Sequence, residues 1–240
     1  MTSGLVGLKR NRSSGFDMPS TALKQSTRVL EWVRAPQQER TRVALTRMLD
    51  AAEALVAEKG FEAAGIAEIA QRAGSSVGGF YRRFHDKQGM LQALHERFCE
   101  DARATADLAL DPARWVGAPT DEIITEFTAF LVRIYRDREG LTRAFLVSGI
   151  GDETVRQRTR ELIGYLHTRL HSLLAERRAD IGHPDPELAI TIGFNMMLGA
   201  LNHAIQLQLD ELGLFDDRFA GELPRAFLGY LGVRATPSNP

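Results

Sequence analysis

Residues 66–84 read IAEIAQRAGSSVGGFYRRF. Ile66, Ile69, Ala70 and Ala73 recur on one helical face, which predicts a two-turn helix over 66–73. Gly74, Ser75 and Ser76 interrupt the period, and a second short helix over 77–84 carries Phe80 and Phe84 four apart. Ala70 stands where another helix has to pass close, so a larger side chain there would push it away. Gly74 permits the left-handed turn between the two helices. Phe80 supplies an apolar plug beneath the second. This spacing is that of a helix-turn-helix, whose second helix enters the DNA major groove.

The second helix contains an adjacent pair, Gly78 and Gly79, and each glycine costs about 1 kcal/mol relative to Ala in a helix interior. Such residues bare the backbone and let another surface approach. Around them stand Ser75, Ser76, Val77, Tyr81, Arg82 and Arg83, most of them hydrogen-bonding types suited to phosphates and base edges. Tyr81, rigid and with a phenolic donor, is the best phosphate candidate. Asp86 reads as the cap of the next helix, which puts Lys87 at its first position. A cation there opposes the helix dipole, unless an anion sits on the helix end and uses both the ammonium and the free N–H groups.

Working outward, Val43, Leu45, Leu49, Ala52, Leu55 and Val56 predict a helix over 39–59, ended at Gly60. After Asp86 comes a long helix with Met90, Leu91, Leu94 and Phe98. A break containing Pro112, Gly117 and Pro119 follows. Further helical stretches are predicted at about 121–138, 141–148, 152–180, 186–212 and 217–231, with Pro224 kinking or restarting the last. No strand or repeat is visible, so the fold class is all-α. The expected organisation is a basic, poorly ordered arm over 1–38, a DNA-binding domain over 39–88, a larger helical effector-binding and dimerisation bundle over 89–234, and a tail over 235–240. A marginal helix over 23–33 is possible within the arm.

The 240 residues, 44% hydrophobic and 25% charged, suffice to bury a core and exclude wholesale disorder. The single cysteine, Cys99, excludes an internal disulfide or a multi-cysteine zinc module and reads as a packed thiol. The first thirty residues show no apolar core of a secretory signal. The stretch 190–205 is apolar but contains Asn195, Asn202 and His203, and falls short of the roughly 20 residues a bilayer crossing needs. A cytoplasmic location is expected. The net charge of -1 conceals an asymmetry: residues 1–47 hold nine Lys/Arg and three Asp/Glu, and residues 48–240 hold 21 and 28. A basic front on an acidic body fits one end meeting a polyanion, or simply a solvated tail.

The stretch 41–94 resembles the DNA-binding domain of the TetR family of bacterial transcriptional regulators. The resemblance is carried by Ala51-Ala52, the run Leu55-Val56-Ala57-Glu58-Lys59-Gly60-Phe61, Ile69-Ala70, Ala73-Gly74, Ser76, Gly78, Phe80-Tyr81, Phe84, Lys87 and Met90-Leu91. It implies phosphate contacts from Tyr81 and Lys87, and a groove face formed by Ser75, Ser76, Val77, Gly79 and Arg82. Thr41, Gly78 and Arg83 complete the expected DNA-contacting set. The sequence departs from the family pattern at Gly65 and Gly79, where threonine is frequent, and at His85, where proline is frequent.

In the body, Phe98, Phe127, Phe130, Ile134, Phe145, Leu166, His167, Phe194 and Met196 are candidates to line a small-molecule pocket, since aromatic and Met side chains offer broad apolar contact. For each one, plain core is the competing reading. His167 and His171 lie four apart and share a face, but no third ligand accompanies them, so neither a metal nor any other cofactor is expected. Gly193, Met197, Ala200, Ala204 and Leu207 form a stripe of mostly small residues, and Phe219, Leu223 and Phe227 a second. The resemblance implies that these last two helices pair with their copies in a homodimer.

The expected function is that of a ligand-responsive regulator, a repressor that grips a near-palindromic double-stranded operator as a dimer and is released by a largely apolar small molecule. The alternatives are an activator or effector-independent DNA binder, and an all-α enzyme using the helical pocket. No nucleotide loop, nucleophile with its base, or metal set supports the enzyme.

Overall fold

The computed structural model describes residues 39–208 and 213–233. The arm over 1–38 with its marginal helix, and the tail from 234 on, lie outside the described residues. Within them the chain is all-α with no strand. The helices are α1 (Glu39–Lys59), α2 (Ile66–Arg72), α3 (Val77–Tyr81), α4 (Lys87–Ala109), α5 (Thr120–Asp137), α6 (Glu139–Gly151), α7 (Glu153–Ala175), α8 (Pro186–Leu207) and α9 (Asp217–Leu231).

Local chemistry sets their ends. Gly60 takes φ +82 and its N–H returns to the Val56 carbonyl at 2.9 Å, which stops α1. Asp86 accepts the Gly89 N–H at 2.7 Å and starts α4. Asp152 caps α7 by accepting from the N–H groups of Thr154 and Val155. Asp185 caps α8, with Pro186 in the first turn where its missing N–H costs nothing.

Several elements differ from the sequence expectation, among them α3, which stops at Tyr81 and not 84, and α6, which spans Glu139–Gly151 and not 141–148. The break after α4 holds a 3-10 turn, Pro112–Trp115, because the Trp115 ring is buried and its Nε1 donates to the Ala109 carbonyl at 2.8 Å. The helix expected to reach 180 ends at Ala175 and is followed by a 3-10 turn, Arg178–Asp180; between them Arg177 donates to the carbonyls of Leu173 and Trp115. α8 ends at Leu207 rather than 212, since Gln208 adopts φ 49; residues 209–212 lie outside the described residues. α9 runs as one helix through Pro224, which is buried.

Two cores form. The first joins Leu45, Met48, Ala52, Leu55 and Val56 of α1 to Ile69, Phe80 and Phe84, and to Met90, Leu91 and Leu94 of α4. It also takes in Leu141, Ala144 and Phe145 of α6. The second is built from the rest of α4 with α5, α7, α8 and α9. Phe98 packs against both. A division at residue 88 therefore cuts through the first core, which needs the opening turns of α4 and one face of α6.

α8 is long and apolar enough to cross a membrane by length and composition, but half of that stretch is buried inside the molecule. Its apolar character is that of a central helix: Ala189, Ile190, Phe194, Met197, Leu201, Ala204 and Ile205 all belong to the second core. The same packing buries most of the expected dimer stripe within the chain. A Cβ on Gly193 would stand 2.2 Å from the Phe227 ring, so this glycine admits α9 of its own chain. Met197, Ala204, Leu223 and Phe227 are buried there too, Ala200 and Phe219 are half-buried, and only Leu207 is exposed.

Candidate nucleic-acid interface and effector cavity

The two short helices are held by the contacts their sequence anticipated. Ala70 and Phe80 are buried, and Gly74 takes φ +64. The Ser75 N–H returns to the Ala70 carbonyl at 2.8 Å, closing the turn. The Ser76 hydroxyl caps α3 by accepting the Gly79 N–H at 3.1 Å. Gly65 precedes α2 with no side-chain cap. Ion pairs from Lys59 to Glu68 and from Arg72 to Glu58 tie α2 to α1. They are largely exposed, so each contributes little beyond orientation.

The structure brings Ser76, Val77, Gly78, Tyr81 and Arg82 together as exposed positions on and beside α3, with Ser75 half-exposed. Tyr81 is 50% exposed, yet its ring edge packs on Phe80 with centroids 5.5 Å apart, which fixes the direction of the phenol.

Three expected contact residues are placed otherwise. Gly79 is buried: a Cβ there would meet the Ser75 hydroxyl at 2.2 Å, and its carbonyl accepts from Arg83 Nη1 at 2.6 Å. This glycine serves close packing, not access to the backbone. Arg83 folds back onto that carbonyl and is half-buried, and burial followed by the charge of Arg82 lowers its guanidinium pKa. Lys87 Nζ donates to the Glu62 carbonyl at 2.9 Å and lies 4.5 Å from the Phe61 ring centroid. The ammonium thus clips the turn between α1 and α2 and does not stand free at the helix end. The side chain of Thr41 lies outside the described residues.

In the body, a cavity of about 490 Å³ runs along α6. Thr142, Phe145, Leu146, Gly149 and Ile150 line it from that helix, Phe98 from α4, Phe130, Ile134 and Tyr135 from α5, Leu166 from α7 and Asn202 from α8. A smaller cavity of about 120 Å³ shares Phe98, Phe130 and Ile134. Five of the nine expected pocket residues are therefore on its wall: Phe98, Phe130, Ile134, Phe145 and Leu166. Phe127 and Phe194 are not. They stack on each other at 6.3 Å inside the second core. His167 is turned toward Thr191, 3.1 Å away, with its pKa lowered by burial and then by His171. His171 is engaged by Glu187. Met196 is exposed on the outer face of α8.

The sequence reading missed the polar residues of the cavity. His95 is 2% exposed, and burial, reinforced by Arg158, drives its pKa down to about 4. Its Nε2 lies 3.1 Å from the Thr159 hydroxyl and 3.6 Å from the Cys99 sulfur. Burial likewise pushes the Cys99 thiol up to about 12, leaving it un-ionised. Tyr135 donates to Asn202 Oδ1 at 2.8 Å, and burial raises its phenol pKa. The available signal was a polar side chain at an inward helical position, as at His95 one residue after Leu94.

This geometry defines a helix-turn-helix DNA-binding domain carried on a helical bundle with an internal cavity. Residues 48–94 match the bacterial regulatory proteins of the tetR family. Among solved structures, a transcriptional regulator from Rhodococcus sp. RHA1 is 20% identical, with 80% of this chain and 99% of that one covered at a TM-score of 0.61. RolR, solved in complex with resorcinol, is 27% identical over 82% of this chain and 91% of its own, with a TM-score of 0.53. The fatty acid degradation regulator FadR from Bacillus halodurans is 19% identical over 80% and 97%, with a TM-score of 0.57. No curated protein matches the chain. Residues 48–94 thus match the tetR-family model, and the chain shares the fold of these solved transcriptional regulators.

Proposed function

We propose that the protein is a cytoplasmic, homodimeric repressor that binds a near-palindromic operator and is released when a small molecule occupies the cavity along α6. The observation that carries this reading is the double membership of Phe145, which belongs to the core of the DNA-binding domain and to the cavity wall. A ligand that displaces Phe145 acts on the packing of α1 and α4, and hence on the spacing of two recognition helices. Coupling then requires only that the ligand bind one arrangement better than the other. Successive major grooves are roughly 34 Å apart, so a small change in α3 separation breaks the match. In this reading Ser76, Tyr81 and Arg82 face DNA. Lys87 would reach a phosphate only by leaving the Glu62 carbonyl.

The second copy docks on the outward stripe of α8, where Leu188, Ile192, Met196 and Leu207 are exposed. A Cβ on Gly199 in that helix, or on Gly221 and Gly229 in α9, would meet nothing within 4 Å, so a partner helix has room to approach. RolR, with its bound resorcinol, supports a small aromatic effector.

Selection of genomic fragments by the purified protein, followed by footprinting with and without added effector candidates, tests the reading. A protected near-palindrome that is lost on effector addition is expected. Selective retention that tightens with the effector would make it a co-repressor system, and no retention at moderate salt would overturn DNA binding altogether.

A further inference from the structure

Two residues of the cavity wall, His95 and Thr142, each carry a buried polar atom without a hydrogen-bond partner, Nδ1 and the hydroxyl oxygen. Both side chains are more than nine-tenths buried, at 2% and 7% exposure. An unsatisfied buried polar group is costly, and natural structures keep few of them. The tautomer of His95 follows from its neighbour. The Thr159 hydroxyl donates its proton to the Val155 carbonyl at 2.9 Å, so toward His95 it can only accept, and Nε2 carries the hydrogen. Nδ1 is then a lone pair, an acceptor awaiting a donor. Thr142 adds a hydroxyl that can give or take one bond.

The charged residues at the rim are already committed. Arg156 pairs with Glu153 and reaches the carbonyls of Gly149 and Ile150, and Arg160 pairs with the same Glu153. A carboxylate entering the cavity would shed its water and have to compete with Glu153, whose carboxylate already engages both arginines. Apart from Thr159 and the hydrogen-bonded pair Tyr135 and Asn202, the remaining wall is aromatic and aliphatic, with Phe98, Phe130, Phe145, Ile134, Leu162 and Leu166.

We infer that the cavity takes a neutral, largely aromatic molecule whose hydroxyl donates to His95 Nδ1, with Thr142 meeting a second polar atom. This rests on the effector-binding reading and adds the ligand's chemical class. A ligand that offers only acceptors, such as an ether or a ketone, can be met by the Thr142 hydroxyl but leaves His95 Nδ1 unsatisfied.

Calorimetric titration of the full chain with 4-phenylphenol, biphenyl and biphenyl-4-carboxylate tests it. The phenol is expected to bind at least tenfold more tightly than biphenyl, and the carboxylate more weakly than either. His95→Leu is expected to erase the preference for the phenol. Thr142→Val, nearly isosteric, reduces the preference and serves as the second variant if His95→Leu does not fold. Tightest binding by the carboxylate, equal binding of phenol and biphenyl, a preference unmoved in both variants, or binding of none of the three would each overturn the assignment. The regulator reading fails separately: a protein that discriminates the probes as described but retains no DNA, or retains it unchanged with phenol present, keeps the cavity assignment and loses the repressor.

Discussion

Gly140 at the start of α6 packs against Val56 of α1 so closely that a Cβ added to it would stand 2.9 Å from the Val56 carbonyl oxygen. Backbone cannot yield as a flexible side chain can, so Gly140→Ala forces α1 and α6 apart. The expected cost is about 1–3 kcal/mol, the usual range for overpacking. Because α6 also walls the cavity, the variant should bind DNA more weakly while still accepting cavity ligands. Thermal melts and DNA titration on the same preparation check both; unchanged DNA affinity would remove α6 from the coupling path.

Tyr81 and Arg82 are expected to act differently on DNA. Tyr81→Phe removes one phosphate donor from a fixed ring and should weaken binding similarly for all operator variants. Arg82→Ala should change the preference between operator variants by a factor corresponding to about 1–3 kcal/mol. Competition titrations against single-base operator variants separate the two effects. A uniform loss for Arg82→Ala would place that side chain on the backbone instead.

The two faces of α8 make opposite predictions. Gly193 faces Phe227 within the chain, whereas Ile192 and Met196 point outward. Gly193→Ala should lower the melting temperature sharply, since a methyl group cannot share space with a buried ring. Met196→Lys should leave the fold intact and convert the proposed dimer to monomer. Size-exclusion chromatography with light scattering reads the second outcome; a Met196→Lys protein that remains dimeric would move the interface elsewhere.

His95 gives a pH signature. Its folded pKa of about 4 lies below the ordinary 6.5, with desolvation first among the causes, Arg158 and Arg103 adding to the depression and Asp152 opposing it. Above pH 6.5 the ring is neutral in both folded and unfolded chains and contributes nothing to the dependence. Between 6.5 and 4 the unfolded chain binds a proton that the folded one refuses, so stability falls, by about 2 kcal/mol at pH 5. Asp101 acts in the opposite sense, since burial raises its carboxyl to about 6. Denaturant unfolding of wild type and His95→Gln at pH 7 and pH 5 isolates the His95 part: the variant should lose less stability on acidification. Equal losses would mean that His95 takes up its proton in the folded state.

The helix-turn-helix was legible because every residue that builds it is local. Ala70, Gly74, Ser76 and Phe80 act within a few residues of one another, and a cap or a left-handed turn needs no distant partner. The same reasoning placed Asp86 as the cap of α4 and the end of α1 at Gly60. It could not place Gly79 and Lys87, whose surroundings depend on what lies across from them. Helical spacing cannot distinguish a glycine that bares the backbone from one pressed against Ser75, nor a free ammonium from one resting on Glu62.

The body was legible as helices and not as a site. Periodicity separates an apolar face from a polar one, but α8 is apolar on two faces, one covered by α9 and one left open. Only the packing of Phe227 on Gly193 decides which is which. Phe127, Phe130, Phe194 and Met196 are equally plausible pocket residues by type; the crossing of α5, α6, α7 and α8 puts one beside the cavity, two in the core and one outside. From its sequence alone this protein has an all-α chain, its capped helix ends and a helix-turn-helix near the front, since these follow from short-range sterics and hydrogen bonding. Tertiary structure decided the cavity, the unpartnered Nδ1 of His95 and hydroxyl of Thr142, and the shared use of α6, because each requires side chains distant in sequence to meet across a helix crossing that no local pattern records.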